Sequence, residues 1–239
     1  MSTVYQIPGD LSAGPLGRAE LTRRQAILQG WACSGTVVDV ADAPGGPLSI
    51  ESATEEALCV GPMLAAIRAR PTPPDAVIIG CFGDPGLAAL REVLDCPVVG
   101  PFEASFHLGA QLGHRVGVVT VLDAVVPMLD HLARGMGETV NYAGAVAVNI
   151  NVLDLKAHRD ALPSRVAEAA RALIDRNGAD VIVLGCMSMA FLDVASQVAA
   201  ECRVPVINPA RAALSTAESL LALGLTPSRR TYPKPPKGL

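Results

Sequence analysis

The sequence is poor in aromatic residues, in positive charge and in long apolar runs. Aromatic residues make up 3% of its 239 positions, and the formal net charge is −4. Because basic residues are not in excess, we expect no nucleic-acid partner. No apolar run approaches the roughly 18 residues that span a membrane. The first residues, MSTVYQIPGD, also lack the basic and apolar regions of a secretory signal. We therefore expect a soluble, cytoplasmic protein with no membrane partner.

The six cysteines are not spaced like metal ligands. No pair forms a C-x-x-C motif and no histidine lies at ligand spacing from them, so the sequence predicts no metal site. In a cytoplasmic protein they are expected to be reduced thiols, and most reduced cysteines are small buried hydrophobic residues. A catalytic role for any of them therefore needs support from its place in the fold. The cysteines are Cys33, Cys59, Cys81, Cys96, Cys186 and Cys202.

Short β-rich runs alternate with segments of helical spacing along the chain. Half of the residues are hydrophobic, mainly Ala, Val, Leu and Ile, which suits helices packed on a sheet. In the last helical segment, Asn208 fits an N-cap, Pro209 the first helical position and Gly224 a stop. This alternation predicts an α/β fold with parallel sheets covered on both faces. The predicted strands are Val4–Ile7, Thr36–Val40, Ala76–Ile79, Val98–Val99, Val116–Thr120, Ala145–Asn149, Val181–Leu184 and Val204–Ile207.

One strand-turn pattern occurs twice. Residues 75–81 read DAVIIGC and residues 179–186 read ADVIVLGC, so each is an apolar strand followed by Gly and Cys. Both repeats continue with a helix, a further strand and a turn that contains proline. The pattern predicts two pseudo-symmetric parallel-sheet α/β domains with the active site in the cleft between them. The expected domains are 1–100 with 208–239, and 101–207.

The repeated cysteines lie where open parallel sheets bind ligands, beyond the carboxyl ends of the strands. After Cys81, Asp84 and Pro85 fit the N-cap and first position of a helix, and after Cys186, Ser188 fits an N-cap. A helix N-terminus favours a thiolate and offers N–H donors to an oxyanion. The pair therefore predicts two-base chemistry. One thiolate removes a proton beside a carbonyl, and the other thiol delivers a proton to the opposite face. Such a reaction needs no metal or organic cofactor.

A structural interpretation of the same residues stays open: two buried cysteines retained from an old duplication. Cys96 and Cys202 are also a repeat-related pair. They lie at helix ends before the next strand, at the opposite edge of the sheet, and we interpret them as core residues.

Four other features receive structural interpretations. Glu51, just before a helix, is expected to interact with the helix dipole at its first turn. His107 is expected to be a structural histidine with its hydrogen bonds satisfied. Arg23 and Arg24 are expected on a solvated helix face or at a subunit contact. The tail around Tyr232 is expected to be extended and to pack on a neighbouring subunit.

Several segments resemble the aspartate/glutamate/hydantoin racemase superfamily. GCFGDPGL and LGCMSM are similar to its two cysteine motifs, whereas GGPLSIES, FEASFHLG and SRRTYPKPPK are similar to its hydantoin and allantoin racemase branch. The resemblance implies a cofactor-independent isomerase, a homo-oligomer, that racemises a small-molecule substrate, a 5-substituted hydantoin or allantoin. Cys81 and Cys186 are then the catalytic base and acid. The residues expected at the substrate are Pro8, Asp10, Ser49, Ile50, Phe82, Gly83, Thr120, Met187 and Ser188.

Two departures from that family pattern leave alternatives open. The second cysteine is followed by Met187-Ser188-Met189, where amino-acid racemases of the superfamily carry Thr and then Glu or His; apolar methionines suit a ring with an apolar substituent. The first strand ends in QIPGDLSAG instead of an Asn-Pro-Asn type motif. Asp10 could replace the second Asn, although we favour a turn or capping role for it. The alternatives are an isomerase of an amino acid or small dicarboxylate, and a non-catalytic homologue that binds a small molecule.

Overall fold

A computed structural model describes residues 1–137 and 141–238 of the chain. Within them, helices alternate with eight strands. The strands are β1 (Ser2–Gln6), β2 (Val37–Ala41), β3 (Ala76–Ile79), β4 (Val98–Val99), β5 (Val116–Thr120), β6 (Tyr142–Ala147), β7 (Val181–Leu184) and β8 (Val206–Ile207). The helices are α1 (Gly17–Trp31), α2 (Ala53–Arg68), α3 (Leu87–Val93), α4 (Pro101–Leu112), α5 (Val126–Gly135), α6 (Leu162–Asn177), α7 (Met187–Ala190), α8 (Ala195–Cys202) and α9 (Pro209–Ala222).

The strands form two parallel four-stranded sheets with the same connectivity. One sheet has the order β2-β1-β3-β4 and the other β6-β5-β7-β8. All four residues of β3 and all four of β7 are buried, as expected for strands that helices cover on both faces. The prediction of an α/β fold with two related parallel sheets is confirmed.

The chain divides into two compact units. The first contains Met1–Ile50, Thr54–Pro101 and Ala213–Leu239, and the second contains Glu51–Ala53 and Phe102–Ala212. In the first unit, the backbone N–H of Cys33 donates to Oε1 of Glu218 on α9 at 2.7 Å. The last helix is therefore hydrogen-bonded to the first unit.

The predicted strands match the observed ones closely, and β6 differs most. The sequence places this strand at Ala145–Asn149, whereas it runs from Tyr142 to Ala147. Gly144, with φ of 109°, lies inside the strand. The pairing of β6 with β5 shifts register between Val116 and Gly117, so the sheet continues past a glycine that would otherwise end a strand.

The start of α9 confirms the capping prediction. Asn208 Oδ1 accepts hydrogen bonds from the N–H groups of Ala210 at 3.0 Å and Arg211 at 3.2 Å, and Pro209 begins the helix. Gly224 follows the helix with φ of 65°. These are the positions where a side-chain acceptor, a proline and a glycine are favoured.

On α1 the expectation of a solvated pair of arginines is wrong for Arg24. Arg24 is buried, and its Nε donates to Glu20 Oε1 at 2.9 Å, while Arg23 Nε donates to Glu20 Oε2 at 2.9 Å. Burial by itself raises the pKa of Glu20, but the hydrogen bonds from Arg23 and Arg24 outweigh it and lower that pKa to about 2. The pair thus holds a buried carboxylate in its charged form.

The C-terminal tail forms hydrogen bonds with the end of α3 in its own chain. The Arg229 guanidinium donates to the carbonyl oxygens of Arg91 at 2.9 Å and Glu92 at 3.0 Å, at the end of α3. The same group donates to Asp95 Oδ1 at 2.7 Å. The ring of Tyr232 lies 5.6 Å from the guanidinium carbon of Arg91. Helix C-terminal carbonyls favour such cationic partners.

No helix among residues 1–137 and 141–238 is long and apolar enough to cross a membrane.

Candidate active site

Gly80 brings Cys81 to the carboxyl edge of the first sheet. Its N–H donates to the carbonyl oxygen of Gln6 at 2.7 Å, which extends the pairing of β3 with β1 by one residue. A Cβ on Gly80 would lie 2.9 Å from Cα of Ile7 and 2.9 Å from Cε1 of Tyr5. Because real Cβ atoms do not approach other atoms so closely, only glycine fits at this position.

Gly185 has the same role before Cys186 in the second sheet. Its N–H donates to the carbonyl oxygen of Val119 at 2.7 Å. A Cβ there would lie 2.6 Å from Cγ1 of Val118 and 3.1 Å from Cβ of Thr120. The repeated Gly-Cys pair therefore has a packing cause: the glycine passes the neighbouring strand, and the cysteine follows at the strand end.

Both cysteines lie next to a topological switch point. In the first sheet the chain moves from β1 to β2 on one side and to β3 on the other, and in the second sheet β5, β6 and β7 repeat this pattern. Loops that follow two such strands diverge and leave a crevice at the carboxyl edge. Cys81 follows β3 and Cys186 follows β7, so they occupy equivalent positions.

The helix after Cys81 begins later than the sequence predicts. The chain first makes a turn, in which the N–H of Asp84 donates to the Cys81 carbonyl oxygen at 3.2 Å. Asp84 is buried with φ of 51°, and α3 begins only at Leu87, after Gly86 with φ of 71°. The prediction of Asp84 as N-cap and Pro85 as first helical residue is therefore wrong.

The Asp84 carboxylate lies instead against the backbone of Gly100. A Cβ at Gly100 would lie 2.1 Å from Oδ2 of Asp84. The glycine therefore makes room for a buried acidic side chain.

The prediction of Ser188 as an N-cap is also wrong. Cys186 itself has the extended N-cap conformation, with φ of −153° and ψ of 130°, and α7 contains Met187 to Ala190. Ser188 therefore lies inside the helix. Because α7 has four residues and α3 has seven, their dipoles are small, and they give the thiolates less support than the sequence suggested.

The residues that follow Cys186 are mostly apolar and buried. Cys186 is buried, and so are Met187, Met189 and Phe191. Thr120, at the end of β5, is fully buried and its Oγ1 donates to the carbonyl oxygen of Gly185 at 3.3 Å. Thr120 thus holds the backbone immediately before the cysteine.

Asp10 fixes the loop that follows β1. Its Oδ1 accepts from the N–H of Ala13 at 3.3 Å, which caps a short 3-10 helix at Leu11–Ala13. Its Oδ2 accepts from the N–H of Gly45 at 3.0 Å, and its own N–H donates to the carbonyl oxygen of Pro47 at 3.0 Å. The capping role favoured for Asp10 is confirmed. The loops after β1 and β2 are joined through it.

The remaining expected substrate residues of the first unit lie in the loops after β1, β2 and β3. Pro8 is buried beside Asp10, and Phe82 is buried next to Cys81. Gly83, Ser49 and Ile50 are half-buried. The structure thus brings the first unit's expected residues to loops at one sheet edge. The second unit's residues are Thr120, Cys186, Met187 and Ser188.

Glu51 does not lie in the first turn of α2, contrary to the dipole interpretation. The helix begins at Ala53, and Oε1 of Glu51 accepts from the N–H of Val152 at 2.6 Å. His107 lies on the exposed side of α4 rather than in the interior.

Glu56 is a titratable residue at the Cys81 turn that the sequence analysis missed. Its Oε1 lies only 1.9 Å from the position that a Cβ on Gly83 would take. Burial raises the pKa of the Glu56 carboxyl to about 7. Most of α2 and all of β3 lie between Glu56 and Gly83 in the sequence, so no local sequence pattern predicts their contact.

The other cysteines have surroundings unlike those of a reactive thiol. Burial raises the pKa of Cys59 to about 12 and that of Cys96 to about 11, which disfavours their thiolates. Cys96 packs against the core of the first unit, as Cys81 also does, so its raised pKa rather than this packing sets it apart. The Sγ of Cys202 lies 3.6 Å from the carbonyl oxygen of Ala167. Cys96 and Cys202 are half-buried rather than fully buried, and Cys33 is exposed.

Among residues 1–137 and 141–238, no three His, Cys, Asp or Glu side chains are grouped so that they could hold a metal ion.

Comparisons with known proteins identify the family and the fold. The family model of Asp/Glu/hydantoin racemases matches residues 19–217. A hydantoin racemase of Paenarthrobacter aurescens is 37% identical over 205 residues, which cover 84% of this chain and 86% of that protein. The crystal structure of allantoin racemase from Pseudomonas fluorescens superposes with a TM-score of 0.90 at 30% identity, covering 99% of this chain and 97% of that one. Allantoin racemase from Klebsiella pneumoniae gives a TM-score of 0.88 at 31% identity, over 99% and 94% of the two chains.

The fold, the paired Gly-Cys turns and these matches define an isomerase of the racemase type. The chain belongs to the Asp/Glu/hydantoin racemase family, and within it to the branch of hydantoin and allantoin racemases.

Proposed function

We propose that the protein racemises a five-membered cyclic ureide, a 5-substituted hydantoin or allantoin, with Cys81 and Cys186 as its acid–base pair. The observation that carries the proposal is the equivalent placement of the two cysteines, one residue beyond a glycine at the end of β3 and of β7. The names of the relatives in the same branch support the substrate class.

The reaction follows from the chemistry of such a ring. Its stereogenic carbon lies between a carbonyl and a nitrogen, so the C–H bond is acidic enough for a thiolate base. One cysteine, as thiolate, removes this proton and leaves an enolate. The other, as thiol, delivers a proton to the opposite face. The roles exchange for the other enantiomer, and the steps draw on side chains of this chain alone.

The loops that flank the cysteines are proposed to bind the ring and its substituent. Phe82 and Gly83 adjoin one thiol, and Met187 and Ser188 adjoin the other. The apolar Met187 suits a ring substituent better than the charged α-amino and carboxylate groups of an amino acid. On the β1 and β2 loops, Pro8, Ser49 and Ile50 are proposed to border the same site, with Asp10 holding their backbone.

Circular dichroism of optically pure substrates tests the proposal. Separate incubations contain a 5-substituted hydantoin, allantoin, aspartate and glutamate, each with the wild-type protein and with the double variant Cys81→Ala/Cys186→Ala. We expect loss of ellipticity for a ring substrate with the wild type and no loss with the double variant. Racemisation of aspartate or glutamate but of neither ring would assign the protein to the amino-acid alternative. No change with any compound would support the non-catalytic alternative.

A further inference from the structure

A carboxyl group from α2 lies on the Cys81 turn. Glu56 is in the first turns of α2, and its Oε1 lies 1.9 Å, its Cδ 3.1 Å and its Oε2 3.8 Å from the position of a Cβ on Gly83. Gly83 is two residues beyond Cys81. Any side chain larger than hydrogen at position 83 would therefore displace the carboxyl group.

The pKa of this carboxyl group differs from that of a surface glutamate. Burial raises its pKa to about 7, and within the described part of the chain it forms no ion pair that would offset the burial. The other titratable residues on the two elements are Glu55, Cys59 and, three turns away at the end of the helix, Arg68 on α2, and Cys81 and Asp84 on the turn. Cys59 Sγ donates to the backbone carbonyl oxygen of Glu56 at 3.1 Å, and not to its carboxyl group.

A two-cysteine racemase has a proton to return after each turnover. When Cys81 has acted as base, it ends as a thiol and Cys186 ends as a thiolate, so the enzyme is set for the reverse reaction. A second turnover in the same direction needs the opposite protonation of both residues. A group that exchanges protons with Cys81 and with water would speed this return.

We propose that Glu56 is this proton-exchange residue and resets Cys81 between turnovers. The inference rests on the proposed two-cysteine function. The ionised carboxylate takes the proton from the Cys81 thiol and gives it to water, which leaves Cys81 as thiolate. Cys186 takes its proton from water, so charge and protons balance. In the reverse direction the protonated Glu56 supplies a proton to the Cys81 thiolate.

Proton affinity supports this assignment. An ordinary glutamate and an ordinary thiol differ in pKa by about 4 units, which makes transfer between them slow. At a pKa of about 7, Glu56 is closer to a thiol and also to physiological pH. It therefore exchanges readily in both directions.

The test is the variant Glu56→Gln, with Glu55→Gln as a control on the neighbouring helix position. Racemisation of a pure hydantoin enantiomer is followed from low to saturating concentration, beside the wild type. At low concentration the free enzyme has time to reset, so kcat/KM does not contain the return step. We expect kcat of Glu56→Gln to fall about tenfold or more, with kcat/KM within about twofold of the wild type and Glu55→Gln unchanged.

Two further readouts separate proton exchange from a structural effect. Imidazole, whose pKa lies near 6.5, is expected to restore kcat of Glu56→Gln. In the direction of reaction that leaves Cys81 protonated, wild-type kcat is expected to fall as the pH drops through about 7, because protonated Glu56 cannot accept the Cys81 proton. The Glu56→Gln variant is expected to lose this pH dependence. An equal fall of kcat and kcat/KM without rescue by imidazole, or no fall at all, would overturn the inference. A wild type that racemises no ring would instead overturn the proposed function, and this inference with it.

Discussion

The Cys81 turn carries one carboxyl group and contacts another, whereas the residues that follow Cys186 are mainly buried apolar side chains. Asp84 is buried on the first turn and Glu56 lies against that turn, while Met187 and Met189 are buried in the helix that follows Cys186. The backbone of the two turns is nevertheless alike, with a glycine N–H bonded to the neighbouring strand at 2.7 Å in both. Sheet geometry therefore accounts for what the turns share. What differs between them is the set of side chains beside each thiol, and the proposed proton exchange at Cys81 rests on that difference.

The largest effect is expected when either thiol is removed. Cys81→Ser and Cys186→Ser should each lower racemisation by about 10³-fold, because a positioned acid or base contributes roughly 10²–10⁴-fold. Each variant should still exchange the substrate α-proton with deuterium, but only for the enantiomer whose proton faces the remaining thiol. Proton NMR in deuterium oxide measures this for both enantiomers. The exposed Cys33→Ser is the control. Normal racemisation by Cys81→Ala would contradict the two-base mechanism.

The shared backbone is tested by adding one methyl group to each turn. Gly80→Ala and Gly185→Ala should lower the free energy of unfolding by about 1–3 kcal/mol, the usual cost of overpacking. Urea denaturation measures the change. Gly30→Ala, at an exposed position near the end of α1, should be neutral or stabilising, because an added Cβ there meets no described atom within 4 Å outside its own helix backbone and chain neighbours. If both turn variants were as stable as wild type, close passage of the neighbouring strand would not explain these glycines.

Thr120→Val would make the second turn more like the first. Gly80 bonds to Gln6 as Gly185 bonds to Val119, so the residue equivalent to Thr120 is Ile7, which has no hydroxyl. Removing the Thr120 hydroxyl leaves the Gly185 carbonyl oxygen without that donor and should cost about 0.5–1.5 kcal/mol of stability. Thr22→Val, which removes an exposed hydroxyl bonded to the backbone, should change stability by less than about 0.5 kcal/mol. Equal losses of stability in the two variants would mean that the hydrogen bond to Gly185 contributes no more to stability than an exposed one.

The smallest effect is expected at Asp10. Asp10→Asn keeps one acceptor oxygen and loses the other, so stability should fall by about 0.5–1 kcal/mol. Because both oxygens of Asp10 accept backbone N–H groups, the preference between hydantoin and allantoin should change by less than about twofold in kcat/KM. Asp42→Asn, which weakens a bond to the N–H of Ser12 beside the same loop, is the control. A shift in ring preference of about tenfold, roughly 1.4 kcal/mol, would show that Asp10 contacts the substrate.

The features that the sequence predicted well are those with local causes. The apolar runs of β3, β5 and β7 and the cap at Asn208 each depend on a few consecutive residues, and all were placed correctly. The position of both cysteines at the carboxyl edge followed from the strands that precede them.

The features that were missed depend on contacts between distant residues. Asp84 has the composition of an N-cap, but its carboxylate is drawn to Gly100 and the chain makes another turn before α3. Glu56 reads as an ordinary acidic residue of a helix start, and only the fold brings it to Gly83. Capping rules describe the preference of an isolated segment. The position of a buried carboxylate also depends on contacts with residues distant in sequence, which these rules do not include.

The return of the C-terminal segment to the first unit has a consequence for the order in which the protein matures on the ribosome. The second unit is nearly continuous in sequence, whereas the first needs Ala213 onward for completion, including the Arg229 bonds at the end of α3. Domains fold as their residues emerge. The last carbonyls of α3 therefore lack their Arg229 donors until residues 213–229 have been synthesised. The first unit therefore begins earlier in the sequence than the second unit and is completed after it.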